Sequence, residues 1–292
     1  MKNHEKSWKI EGKNCLITGS SRGIGFYTAK GLADMGAHVI IVSHNEQHCQ
    51  NAVEEIRESA GEDAARYYVA DLSSQDKVHE LAEKVRQDYD HLDVLVNNVA
   101  TWNATYHETV DSIEETFALN HLSYFLLTGL LLSLLKQSAS ARIVNVASDA
   151  HKGVDRIHFN NVGLNENYRP FKAYAQSKLA NIMFTYKLAE KLEGTEVTAN
   201  ALHPGSVASK LYRKFGILEP LILLWIRLTG KTSKEGAETP IYLASSHHLT
   251  DVSGKYFVDE EQRRSSEISY NNEVQERLWD LSKEMTNFEY SI

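Results

Sequence analysis

A chain of 292 residues with 42% hydrophobic and 24% charged side chains has the make-up of an ordinary globular protein with a sizeable core. Its net charge of -8 excludes a nucleic-acid binder driven by electrostatics, because phosphate binding needs a basic face. Two cysteines, Cys15 and Cys49, exclude a disulfide framework and suit a reducing cytosol.

The N-terminal stretch "MKNHEKSWKIEGKN" has no apolar run to serve as a signal peptide or anchor, so a soluble, cytoplasmic chain is expected. Short apolar runs then alternate with helical patterns. "NCLITG" (14–19), "HVIIVS" (38–43), "ARYYVA" (65–70), "LDVLVNN" (92–98), "ARIVNVAS" (141–148) and "VTANALHPG" (197–205) read as strands. Between them "GIGFYTAKGLADMG", "NEQHCQNAVEEIRESAG", "SQDKVHELAEKVRQDY" and the stretches 109–137 and 172–193 carry helical spacing. This alternation predicts right-handed βαβ crossovers and one doubly wound α/β domain over residues 1–292, with a parallel sheet. Its ligands would bind at the carboxyl ends of the strands.

Two internal segments are very apolar. "YFLLTGLLLSLL" (124–135) reads as a buried helix, and "GILEPLILLWIRL" (216–228) is broken by Glu219 and Pro220. Both fall short of the roughly 20 residues that span a bilayer. The second reads as part of a substrate lid at about 206–232, or else as a dimer surface or buried helix. As a lid, its Leu221, Leu224 and Trp225 favour a lipophilic carbonyl or alcohol.

The first strand runs into "TGSSRGIG", Thr18 to Gly25, and then into a helix. Gly19, Gly23 and Gly25 let the backbone turn tightly and approach a pyrophosphate, to which the helix N-terminus directs its N–H groups. A dinucleotide is the expected cofactor. The second strand ends at Ser43 and His44 with no carboxylate, where an acidic residue would bind a ribose 2′-hydroxyl. With Arg22 able to place a positive charge near a 2′-phosphate, NADP(H) is favoured over NAD(H).

Tyr174 precedes Lys178 by four residues, which stacks a phenol and an ammonium on one helix face. Free tyrosine, with a pKa of about 10, is a poor base at neutral pH, and a nearby cation favours the phenolate. Ala175, Leu179, Ile182, Met183 and Tyr186 form an apolar stripe, leaving the pair displaced to border a cleft. Ser148 ends a strand at the expected ligand edge, where its hydroxyl could donate to a developing oxyanion. His44 and His48, four apart at a helix start, have no further metal ligands in register, and His247 and His248 read as surface residues.

"TGSSRGIG", "NNVA" (97–100), Asn120, Ser148, "YAQSK" (174–178) and "HPG" (203–205) together resemble the ordered motifs of the short-chain dehydrogenase/reductase family. The likeness covers roughly residues 10 to 285. "NHLSYFLLT" (120–128), "RIVNVASDAHK" (142–152), "AYAQSKLAN" (173–181), "SGKYF" (253–257) and "LWDLS" (278–282) resemble its retinol dehydrogenase-like branch, whose members often carry an N-terminal membrane anchor. The resemblance implies a Rossmann-type fold and hydride transfer between an alcohol and an aldehyde or ketone, retinol-like by branch. It implies that Asn120 holds a water linking Lys178 to solvent, and that Tyr174 and Lys178 also touch the cofactor. Cofactor contacts would further come from Ser21 and Ile24 in the loop, Asp71 and Leu72 at the adenine, and Asn98. Pro204, Gly205 and Ser209 would complete the wall, Ser209 standing where the family usually has threonine. "NNVA" departs from the usual "NNAG", placing the bulkier Val99 and Ala100 beside the cofactor, and His44 stands where the branch often has arginine. The family usually dimerises through the helices expected at 109–137 and 172–193, although this branch need not. The alternatives are a catalytically silent, cofactor-sensing interaction protein on the same fold, and a methyltransferase, which would have no use for the Tyr/Lys pair.

Overall fold

The computed structural model describes residues 8–207 and 230–292. Among these, seven strands run parallel: β1 (Asn14–Thr18), β2 (His38–Ser43), β3 (Ala65–Val69), β4 (Val94–Asn97), β5 (Ala141–Val146), β6 (Val197–His203) and β7 (Tyr256–Val258). The short β8 (Glu261–Arg263) returns antiparallel on β7, and the sheet order is β3-β2-β1-β4-β5-β6-β7-β8. The order reverses between β1 and β4, which opens the crevice where such sheets bind ligands.

The strands read as continuous apolar runs because both sheet faces are covered. Within a run, alternate residues part company. Leu16, Ile40, Val42 and Leu95 join a core with Leu81, Val85, Leu127 and Leu131. Cys15, Ile17, Val39, Ile41 and Val96 turn to the other face, against Leu32, Val53 and Ile56. The first core is supplied by α3 (Gln75–Asp88), α5 (Ser123–Gln137) and α6 (Pro170–Lys191), and the second by α1 (Gly23–Asp34) and α2 (Glu46–Ala60). Cys15 and Cys49 are both buried free thiols.

Several boundaries differ from the sequence expectation. The helix expected from 109 starts at Glu115, because Glu114 accepts hydrogen bonds from the backbone N–H groups of Thr116 and Phe117 and so caps it. One turn, α4 (Glu115–Phe117), leads through a π segment (Ala118–Leu122) into α5. The combined stretch Glu115–Gln137 has 23 residues, long and apolar enough to cross a membrane, contrary to the shorter run at 124–135. It serves here as core: 83% of its apolar window is buried. α2 begins only after the Asn45 cap, so His44 precedes the helix and only His48 lies on it. The expected lid falls largely outside the described residues.

The last third adds elements whose periodicity is too short to read: α7 (Ser233–Gly236), α8 (Glu238–Ser245), β7 and β8. The chain closes with α9 (Asn272–Thr286), which packs on α6 and places Trp279 against Phe125 and Phe184. Beyond it Phe288 lies over Gly129 of α5, and the Tyr290 hydroxyl donates to the Phe125 carbonyl.

Candidate active site

The parallel strands end together at one edge, and nearly all the expected site residues sit there. Gly19 follows β1, Ser43 ends β2, Asp71 lies just past β3, Asn98 follows β4, Ser148 follows β5 and Pro204 follows β6.

The loop between β1 and α1 is built as a cradle. Gly19 and Gly23 adopt left-handed φ values of 63° and 62°. A Cβ on Gly25 would come within 2.5 Å of Asn98 Nδ2 and 2.6 Å of the Gly19 carbonyl, so only glycine allows the loop to fold this tightly. Asn98 Nδ2 donates to the Thr18 carbonyl at 2.8 Å, and Thr18 Oγ1 accepts the N–H groups of Asn98 and Val99. Ser21 Oγ donates to Ser43 Oγ at 2.9 Å, tying the loop to the end of β2. The bare backbone at the head of a twelve-residue helix fits a pyrophosphate.

Arg22 is exposed as the cap residue of α1, and its guanidinium rests on the His48 ring. His44 is exposed after the end of β2. Asp71 turns one carboxylate oxygen to Ser73, accepting from its N–H and hydroxyl, while Leu72 is buried in the core. Gly205 has a φ of 88°, and a Cβ there would meet the Lys231 side chain at 2.8 Å. Ile24 lies near Gly236, packing the cradle against α7. Ser209 lies outside the described residues.

The phenol and ammonium, expected to border a cleft, are both largely shielded from solvent. α6 is buried nearly all round between the sheet and α9, and Tyr174 is only 9% and Lys178 only 1% exposed. Lys178 Nζ donates to the Val146 carbonyl at 2.9 Å and stands 5.7 Å from the Tyr174 ring centroid. It also lies 5.6 Å from the ring of Tyr124, whose hydroxyl donates to the Val99 carbonyl. Burial pushes the Lys178 ammonium from 10.5 down to about 7.

Asn120 sits in the π segment, a helical irregularity common at functional sites. Its Oδ1 accepts the Thr101 N–H at 2.7 Å, and its Nδ2 donates to the Thr101 carbonyl and to Ser177 Oγ, each at 3.0 Å. Ser177 Oγ in turn donates to the Tyr174 carbonyl. The side chain is thus engaged by Thr101 and Ser177. Ser148, half-buried, accepts the Ala150 N–H on its Oγ, which leaves its hydroxyl hydrogen to donate. His151 fixes that turn: Nδ1 donates to the Ser148 carbonyl at 2.7 Å, and Nε2 accepts the Ser266 N–H.

The site also takes in Thr18, Thr101, Trp102, Tyr124 and His151. Thr18, Tyr124 and His151 lie within the motifs "TGSSRGIG", "NHLSYFLLT" and "RIVNVASDAHK", whereas Thr101 and Trp102 fall outside every motif.

The model of the short chain dehydrogenase family matches residues 13–216. The chain belongs to that family. Among curated relatives, human retinol dehydrogenase 14 is 40% identical over 294 residues, covering 94% of this chain and 87% of the relative. Human polyprenol dehydrogenase is 38% identical over 280 residues, covering 93% and 84%. An uncharacterized protein from Mycobacterium paratuberculosis superposes with a TM-score of 0.78 at 28% identity, over 98% of both chains. The Pseudomonas aeruginosa RhlG/NADP complex gives 0.68 at 27% identity, over 86% of this chain and 96% of that one. The protein is therefore a short-chain dehydrogenase/reductase of Rossmann-type fold, resembling retinol dehydrogenases, an NAD(P)-dependent oxidoreductase acting on CH–OH groups.

Proposed function

We propose that this short-chain dehydrogenase interconverts a lipophilic aldehyde or ketone and its alcohol, prefers NADP(H), and uses Tyr174 as its acid/base. One observation carries the reading: Asn120, Ser177, Tyr174 and Lys178 are joined in one buried network at the strand edge that also carries the glycine cradle. The likeness to retinol and polyprenol dehydrogenases supports a lipophilic substrate.

The bound cofactor supplies the hydride. In the reducing direction the Ser148 hydroxyl donates to the carbonyl oxygen, and the Tyr174 hydroxyl delivers the proton that converts the forming alkoxide to alcohol. Lys178, its ammonium lowered by burial to about 7, would when charged favour the Tyr174 phenolate and would hold the nicotinamide ribose. Asn120, whose amide holds the Thr101 backbone and Ser177, would hold a water that links Lys178 to solvent. Gly19, Gly23, Gly25 and Asn98 shape the pyrophosphate cradle, while Ile24, Leu72, Asp71, Pro204, Gly205 and Ser209 are proposed as further cofactor contacts. Arg22, with Ser21, Ser43 and His44 as further contacts, would favour a 2′-phosphate, a preference in keeping with the NADP held by the structurally similar RhlG. Cytoplasmic placement belongs to the same proposal, supported by two buried free thiols.

Turnover of a panel of lipophilic aldehydes with NADPH and NADH side by side tests both parts. Tyr174→Phe should lose at least about 100-fold in kcat, the low end of general acid–base contributions. Wild-type turnover in that variant would sink the mechanism and favour the silent, cofactor-sensing alternative. Faster turnover with NADH would overturn the reading of Arg22.

A further inference from the structure

Tyr256, in the segment "SGKYF", opens β7 and reaches back across the sheet toward Ser148. It is buried in one cluster with Ala147, Ala201 and Ile182. The two alanines, after β5 and on β6, leave room for the ring to cross β6, while Ile182 and Tyr186 cover it from α6. The Tyr256 hydroxyl donates to Asp149 Oδ1 at 2.9 Å. Asp149 follows Ser148 directly and begins the short 3₁₀ turn Asp149–Gly153.

That turn is gripped on two sides. His151, fully buried, packs edge-on against the Tyr256 ring, with centroids 5.3 Å apart and planes inclined by 71°. Its backbone N–H donates to the Ser148 carbonyl at 3.1 Å, beside the Ala150 N–H that donates to Ser148 Oγ at 3.2 Å. On the other side a Cβ on Gly153 would come within 2.5 Å of Phe171 Cε1, three residues before Tyr174 on α6. The turn is thus wedged between Tyr256 and the helix that carries the proton donor. Burial and the neighbouring carboxylate raise the Tyr256 phenol far above its ordinary value, so it stays a donor. Partial burial opposes the charge on Asp149, but Lys152 and Tyr256 hold its carboxyl below the ordinary value. The bond between them is therefore a charge-assisted one, the stronger kind.

We propose that Tyr256 is a positioning residue for the reaction, fixing through Asp149 the turn that aims the Ser148 hydroxyl at the carbonyl oxygen. Without the phenol hydroxyl, the Asp149 side chain, 41% exposed, turns to water and Lys152, and the turn loses its tie to the sheet. Ser148 is then no longer preorganised for the forming oxyanion. Transition-state stabilisation suffers, whereas ground-state binding of the substrate changes little. This inference rests on the reading of Ser148 as oxyanion donor, and it brings β7 into the active site.

Reduction of decanal by NADPH tests it in wild type, Tyr256→Phe, Ser148→Ala and the double variant. Tyr256→Phe should lower kcat roughly tenfold, within the scale of a small misplacement, and leave KM within about twofold. In the Ser148→Ala background the same substitution should cost less than about twofold, because the hydroxyl it positions is gone. Asp149→Ala should match Tyr256→Phe, and Asp149→Asn, which keeps an acceptor for the phenol, should recover most of the lost rate. Equal losses in the two backgrounds overturn the proposal, as does wild-type kcat in Tyr256→Phe. Wild-type kcat in Ser148→Ala removes the donor role from Ser148 and this proposal with it. If Tyr256→Phe fails to fold, Asp149→Ala, on the partly exposed side of the pair, carries the same cycle. If wild type does not reduce decanal, the proposed function fails, and hydrogen exchange over residues 147–153 still decides on Tyr256. The Ala150 and His151 amides should then exchange at least about tenfold faster in Tyr256→Phe while β5 keeps its protection. Unchanged exchange overturns the hold of Tyr256 on the turn.

Discussion

Burial alone sets the state of Lys178, lowering its ammonium from 10.5 to about 7. The folded value lies below the unfolded one, so between about pH 7 and 10.5 the unfolded chain binds more protons and stability rises with pH. The cofactor-free enzyme should therefore gain stability on going from pH 7 to 9, by up to about 1.4 kcal/mol per pH unit from this group. Lys178→Met should lose that increment, and urea melts of both proteins at pH 7, 8 and 9 check it. Equal slopes in the two proteins would refute the assignment. The four-residue spacing of Tyr174 and Lys178 is legible in the sequence, because it depends only on helix geometry. The acceptor for Lys178, the Val146 carbonyl, is not, since it lies 32 residues away on β5. For the same reason the apolar stripe does not record how deeply the pair lies: it marks one buried face, and α6 is packed on nearly all of them.

At the level of elements, the π segment decides where Asn120 points, and a chain of buried polar groups ties it to α9. Asn181 Nδ2 donates to the Asn120 carbonyl at 2.8 Å, and its Oδ1 faces His121 Nδ1 at 3.3 Å. His121 Nε2 meets Ser282 Oγ of α9 at 2.8 Å. All four residues are fully buried. Asn181→Ala would strand the Asn120 carbonyl and the His121 ring away from water, at about 1–3 kcal/mol. It should also lower kcat, because the same turn carries the clamp on Thr101 and Ser177. Denaturant melts and kcat of the variant check both effects, and unchanged stability would contradict the role given to Asn181. A second consequence comes with pH. Burial lowers His121 from 6.5 to about 4, so the unfolded chain takes up its proton first and stability falls as pH drops below about 6.5. Helical periodicity runs straight through 109–137 and hides both the late start at Glu115 and the π segment. Each depends on a hydrogen bond, at Glu114 or at Asn120, and not on apolar spacing.

Over the whole molecule, α9 and the residues after it close the outer side of α5 and α6. Trp279 and Tyr290 pack on Phe125, and Phe288, against Tyr290, occupies the space that a side chain at Gly129 would fill. Removing residues 287–292 would uncover that apolar surface, at about 2–4 kcal/mol for two aromatic side chains. Thermal melting should show a fall of several degrees in Tm. Sedimentation should show the shortened chain self-associating more than the intact one. An unchanged Tm would mean that the tail contributes no packing.

Local sequence is enough to establish the chain order of the first six strands and their helices, the glycine-rich turn, and the spacing that makes Ser148, Tyr174 and Lys178 candidates. Each of these is written in short-range periodicity or in the chemistry of a short motif. Only in the folded chain does it emerge that Lys178 loses its water, that Asn120 spends its amide on Thr101 and Ser177, and that Trp102 covers the phenol. Burial and partnership depend on which distant segments meet, and no residue pattern within one segment records them.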